Sequence, residues 1–312
     1  LRAASFVEAS IEKLSRHPAA TRRLPRWRSL GVITCEDRSN MFIHIGYDIV
    51  FDVPQRLPML LMLNVHPSHD RHMRRPDRIR FEPDVPFSEY IDMFGNRVGR
   101  IVAPPGKLRI WNDALVEVPD GPDLMPGDAR QLAVEELPSD VLQFLLGSRY
   151  VEMERLSELA WSLCRDLPLG YPRVQAICNF AHNHVRFDYN SARPTKTAYD
   201  VYVERTGVCR DFMHLAVALC RCVNIPARYA TGYLGDIGVP VSPAPMDFSA
   251  WFEVYLGGQW WTFDARHNRP RVGRVLMARG RDAVDVALTT SFGTAILNKF
   301  EVTTVEAPAY AI

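Results

Sequence analysis

The sequence predicts an α+β protein, with a block of short strands followed by a run of helices and then antiparallel strands. Three observations carry that reading. Prolines and glycines punctuate short apolar runs between Met41 and Val118; apolar residues then recur at helical spacing after Ser139; and Gly257-Gly258 separates two alternating runs. Helices gathered ahead of a sheet, rather than interleaved with its strands, distinguish α+β from α/β.

Residues 1–40 hold one short amphipathic stretch (Phe6, Val7, Ile11, Leu14) and then a basic, Pro- and Arg-rich segment. They read as a solvated extension outside the fold, with Met41 as the expected natural start and no loss of stability on deletion. The first strand begins at Phe42-Ile43-His44-Ile45. Further strands are expected at 59–65 and 107–114, with a tight hairpin turn at Phe94-Gly95-Asn96-Arg97. Turn signals this frequent suggest a small β-sandwich over 41–135.

After Pro119 the chain loosens through Asp120-Gly121-Pro122 and Pro126-Gly127. Ser139 is expected to cap a helix over 140–146. Leu156, Leu159, Ala160 and Leu163 mark a second helix, and Val174, Ile177 and Phe180 a third. A strand at 185–189, a helix at 198–204 and a helix at 209–223 follow. Asn224 ends the last of these as a left-handed cap, and Pro226 bars its continuation. A strand at 227–234 leads to a hairpin, 249–256 and 259–264, around Gly257-Gly258. A turn at 279–282 is expected to feed a strand at 284–288, completing a core over 136–305 with a tail at 306–312.

The composition excludes several classes. Net charge is +1 in 312 residues, with no extended basic stripe, so nothing points to nucleic acid or an anionic membrane as partner. Six cysteines with no C-x-x-C pair are too sparse for a disulfide framework or a zinc ribbon, and a reducing cytoplasm is expected. No apolar run approaches the ~18 residues of a membrane span. His66, His69 and His72 are close in sequence, but Pro67 and the charges around them read as a solvated loop, so neither metal nor cofactor is expected.

The densest chemistry lies in Gly207-Val208-Cys209-Arg210-Asp211-Phe212. An apolar helical pattern follows Cys209, so the Gly207 turn delivers the thiol to a helix N-terminus. Free N–H groups and the helix dipole favour an anion there, and the thiol pKa is expected to be lowered. On the hairpin, 252 faces 263 and 256 faces 259. Ala250, Phe252, Val254 and Leu256 therefore share one face with Trp261 and Phe263, and Ser249, Trp251, Asp264 and Arg266 share the other. Ser249 and Asp264 are expected to be diagonal neighbours, ~7–8 Å apart at Cα.

These segments, with Asn224-Ile225-Pro226-Ala227-Arg228-Tyr229, Ala250-Trp251-Phe252-Glu253-Val254 and Trp261-Thr262-Phe263-Asp264, resemble the bacterial transglutaminase-like superfamily. The region before them is similar to the β domain that precedes this core in many such proteins. The resemblance implies a papain/transglutaminase-like core, Cys209 as nucleophile, Asp264 as orienter, and acyl transfer through a thioester: cross-linking, amide hydrolysis or deamidation of a peptide or protein bearing Gln or amide groups. The family pattern Asp-Phe-His-Ala-Trp reads Asp247-Phe248-Ser249-Ala250-Trp251 here. A hydroxyl cannot accept the thiol proton at neutral pH, so the triad Cys209, Ser249, Asp264 lacks its base.

Another histidine would have to substitute. His214 lies about 140° around the helix from Cys209 and is expected to pack elsewhere. His182 and His184 read as helix-end packing. His267 falls on the opposite strand face from Asp264 unless a turn after Asp264 brings it back. Trp251 and Arg266 are expected to line the cleft; Trp251, Tyr255 and Trp260 fit a substrate wall and a covered core equally well. A weakened or inactive member that binds a peptide or protein in the same cleft is the alternative. Oligomeric state cannot be read from the sequence.

Overall fold

The computed structural model describes residues 39–243 and 245–308. Reading 1–40 as an extension therefore falls almost entirely outside the described residues. From Asn40 the chain builds two antiparallel sheets that enclose one apolar cluster. In the first, β1 (Asn40–Val53) pairs along its length with β7 (Gly106–Pro119), which also carries β3 (Met73–Arg75) and β4 (Arg80–Glu82). In the second, β2 (Leu57–Leu61) pairs with β6 (Arg97–Ala103), and β6 with β5 (Ser88–Ile91). Alternate residues of β1 (Ile43, Ile45, Ile49) and of β2 (Met59, Leu61) are buried, as expected for strands with one covered face. The turn expected at 94–97 is present, with Gly95 at φ 82° and the Asp92 carboxylate accepting the N–H groups of Phe94 and Asn96.

The helices follow as α1 (Ser157–Cys164), α2 (Tyr171–His184), α3 (Ala198–Glu204) and α4 (Cys209–Cys222). The two-residue strands β8 (Arg186–Phe187) and β9 (Thr206–Gly207) pair in parallel just ahead of α4. The core sheet runs in the order β12 (Gln259–Phe263), β11 (Ser249–Leu256), β10 (Ala227–Tyr233), β13 (Val275–Gly280). Hairpin pairing is as expected, Phe252 opposite Phe263 and Leu256 opposite Gln259. Gly257 and Gly258 both take positive φ, 60° and 91°, the turn that lets the two strands keep their twist. Phe252, Val254 and Leu256 pack on α4, which is buried around nearly all of its circumference.

Three expectations need correction. The helix at 140–146 is only a 3-10 turn, Leu142–Leu145. Phe144 is buried while Leu142 and Leu146 are exposed, so no continuous apolar stripe draws the segment into an α-helix. The strand expected at 284–288 is instead a turn in which the Asp282 carboxylate accepts the Val284 N–H and Asp285 pairs with Arg281 at 2.8 Å. Such local side-chain bonds compete with strand pairing. The last strands also leave the core expected over 136–305: β14 (Thr289–Ser291) pairs with β2 and β15 (Ile296–Ala307) with β1. The chain thus returns to its first sheets.

The first sheets also cover the free edge of β13. The His66 N–H donates to Leu276 O at 2.9 Å, and Leu276 N donates to His69 Nε2 at 3.1 Å. The fully buried Asn96 side chain donates to Arg279 O at 2.8 Å and accepts the Arg279 N–H at 2.9 Å. An unpaired strand edge is thereby capped by side chains. The histidine cluster read as a solvated loop is therefore partly a docking element, and among the described residues no group of side chains is placed to hold a metal ion.

Candidate active site

Cys209 is the first residue of α4, and two contacts place it there. The strand pair β8–β9 holds the preceding Gly207, and the fully buried Asp211 accepts the Val208 N–H at 3.0 Å, capping the helix start. Arg210 reinforces Asp211 through Nε at 3.0 Å. A Cβ on Gly207 would lie 2.6 Å from the Asp211 Cβ, so the cap requires glycine at that position. At the other end of α4, Asn224 takes φ 60° as the expected left-handed cap.

The thiol is half-buried. Burial pushes it up to about 11, against the nearby Arg266 guanidinium and the amides of Arg210 and Ala250, while Asp247 adds to the rise. This corrects the expected lowering: loss of hydration outweighs what the helix end supplies, and the resting thiol is neutral.

Cys209 sits between two openings. One, about 490 Å³, is lined by Cys209 with Tyr189, Ser249, Arg266, His267 and Arg271. The other, about 440 Å³, adds Tyr229, Thr231 and Leu288. Ser249, first residue of β11, reaches both, yet its buried Oγ has no hydrogen-bond partner. No bond joins it to Asp264 among the described residues.

Asp264 follows directly on β12 and turns the chain back on itself. One carboxylate oxygen accepts the N–H groups of Arg266 at 3.0 Å and His267 at 2.9 Å; the other lies 2.8 Å from His267 Nδ1. This turn is the condition under which His267 can return to the cleft. It puts His267 in the lining of the same opening as Cys209 and Ser249, with no hydrogen bond to Nε2 among the described residues. Arg274 Nη2 also donates to Asp264 at 2.9 Å, and Arg274 is held in turn by Asp123. Burial raises the Asp264 carboxyl, but the His267 hydrogen bond and the Arg274 charge prevail and hold it well below the usual carboxylate range. Asp264 itself faces a separate cavity of about 260 Å³ with Tyr171, Gln175 and Asn268, and its bonds to Arg266 and His267 link it to the thiol side.

Other candidates fall elsewhere. Trp251 is 2% exposed and lines neither opening, packing with Ala230 and Leu276. Trp260 is covered by Phe144 and by Arg228, whose guanidinium lies 3.9 Å from its ring centroid. Arg266 does line the cleft, stacked 3.9 Å over Phe187. His214 is fully buried against Tyr150, and His182 and His184 bond to the carbonyls of Arg266 and Tyr202. Sequence reasoning missed Asp123 and Arg274. The first lies in what reads as a linker and the second in an unremarkable run, and only folding makes them neighbours.

A profile of the transglutaminase-like superfamily matches residues 158–265, which span α1 to Asp264. The fold matches the crystal structure of "a Putative Cysteine Protease from Cytophaga hutchinsonii" with a TM-score of 0.77 and 30% identity, covering 87% of this chain and 92% of that one. An uncharacterized protein of Mycobacterium leprae is 25% identical over 68% of this chain and 77% of its own length. Another, from Mycobacterium tuberculosis strain H37Rv, is 28% identical over 60% of this chain and 65% of its own length. With the helix-start cysteine, the strand hairpin and the carboxylate behind it in that order, the chain belongs to the transglutaminase-like superfamily.

Proposed function

We propose that the protein is a cysteine acyl-transfer enzyme in which Cys209 is the nucleophile, His267 the base and Asp264 its orienter. The observation that carries this is the 2.8 Å bond from His267 Nδ1 to Asp264, with His267 lining the same opening as Cys209. An imidazole held at Nδ1 by a carboxylate presents Nε2 in the tautomer that can take a proton. The base thus comes from the turn after β12 rather than from the 249 position.

Because the resting thiol is neutral, proton transfer to His267 Nε2 accompanies attack. The sulfur bonds to the carbonyl carbon of a peptide or side-chain amide, and the oxyanion is placed for the Cys209 N–H. His267 then returns the proton to the leaving amine as the C–N bond breaks, leaving a thioester. Water or an amine releases it, giving hydrolysis, deamidation or cross-linking. The substrate class is a peptide or protein, and the free thiols among the described cysteines agree with a reducing cytoplasm.

A second reading has one observation in its favour. A thiol raised to about 11 in a cleft without histidine at position 249 also suits a member that binds a peptide without cleaving it. Incubation with p-nitrophenyl acetate, followed by peptide mass spectrometry, separates the two. An acetyl group on Cys209, formed at a rate that His267→Gln lowers, supports the enzyme. A protein that leaves Cys209 unacetylated while iodoacetamide still labels it belongs to the binding reading.

A further inference from the structure

We infer that the wall of the cleft beside His267 is a carboxylate-binding subsite formed by Arg266 and Arg271, so that the substrate carries a carboxylate within a few bonds of the reacting carbonyl. This deepens the proposed function and rests on Cys209 as the reacting atom. Both arginines line the opening that contains Cys209 and His267. Arg266 is half-buried with its guanidinium carbon 3.9 Å from the Phe187 ring centroid, and among the described residues it forms no ion pair. Its donors therefore remain unused beside the thiol.

Arg271 supplies the second half. It is 4% exposed, donates to Gly235 O at 2.9 Å, and leaves its Nε N–H without a partner. A buried donor left unpaired is unfavourable, so a small shift of the side chain toward an acceptor in the opening is favoured. Two acids share this lining. Asp236 forms a long ion pair with Arg271 at 3.8 Å while accepting the Ser242 N–H at 2.7 Å, and Asp247 lies near Arg266 with no ion pair between them among the described residues. Two guanidinium groups, one pre-stacked and one with an orphan N–H, match the planar geometry of a carboxylate.

The alkylating pair iodoacetate and iodoacetamide tests this on the full chain, because the two differ only in the carboxylate. In either reaction the Cys209 sulfur forms the C–S bond, iodide departs with the C–I electron pair, and the thiol proton passes to His267 or solvent. The readout is the ratio of the two rate constants at Cys209, divided by the same ratio for glutathione. We expect about a tenfold excess for iodoacetate, equivalent to ~1.4 kcal/mol. Arg266→Gln should return it to within about twofold of glutathione, and Arg266→Lys should keep part of it. A wild-type ratio equal to that of glutathione, or a ratio untouched in a folded Arg266→Gln protein, overturns the subsite. If neither reagent reaches Cys209, thermal shift with millimolar glutarate against glutaramide decides: stabilisation by glutarate alone, lost in Arg266→Gln, supports the subsite, and no stabilisation overturns it. His267→Gln separates the two claims. It slows both reagents together if His267 is the base and leaves the ratio unchanged in either case.

Discussion

Two segments line the opening beside Cys209, and they are built to different standards. On one, Ser249 opens β11 with a buried hydroxyl that touches no hydrogen-bond partner. On the other, His267 is clamped by Asp264, which is itself held by Arg274 and, behind that, by Asp123. The difference teaches that a base is identified by what orients it. A side chain with no partner in a rotamer-rich position contributes little preorganisation, whereas a ring bonded at Nδ1 keeps its tautomer and direction.

The comparison breaks most sharply with paired substitutions. His267→Gln should lower acyl transfer by about 10²–10⁴-fold, the usual contribution of a positioned proton-transfer group. Ser249→Ala should stay within about threefold of wild type, and Ser249→His should bring no gain. Steady-state kinetics on an activated ester check all three, and a large gain in Ser249→His would return the base to β11.

Asp264→Asn sharpens the same comparison through stability. Leaving the buried Arg274 with only one of its two carboxylates should cost about 3–5 kcal/mol in urea unfolding at neutral pH. The pH dependence has a definite sign. The folded Asp264 carboxyl lies below its unfolded value, so its stabilisation is complete above about pH 5 and is lost as acid protonates it. The gap between wild type and Asp264→Asn should therefore be present at neutral pH and shrink as pH falls below about 4. A gap that widens in acid would show that the carboxylate is not stabilised as described.

The smallest effect belongs to the β13 edge, where Asn96 and Arg279 line neither opening. Asn96→Ala leaves the Arg279 N–H and carbonyl without their partner and should cost about 1–3 kcal/mol. The iodoacetamide rate at Cys209 should not change. A loss of Cys209 reactivity would mean that the first sheets help shape the cleft as well as cover the core.

Particular residues show where the sequence was legible. The helix start at Cys209 could be read because glycine, an apolar stripe and an asparagine cap are local signals. The hairpin register could be read because Gly257-Gly258 admits few turns. The helix at 140–146 was misread because Leu142 and Leu146 look apolar in sequence, and only packing exposes them. Trp251 fell on the predicted face of its strand, yet that face is covered by other parts of the chain and lines neither opening.

The sequence by itself determined the order of elements, the thiol at a helix start and the substitution at Ser249, since all three rest on interactions between near neighbours. Tertiary structure decided the rest. It brought β14 and β15 back to the first sheets, raised the Cys209 thiol by burying it, and joined Asp123 to Asp264 through Arg274. Desolvation and long-range pairing depend on which surfaces meet, and chain spacing does not encode that. The fate of His267 lay between the two: its distance from Asp264 is written in the chain, but whether the turn closes depends on the backbone bonds that Asp264 accepts.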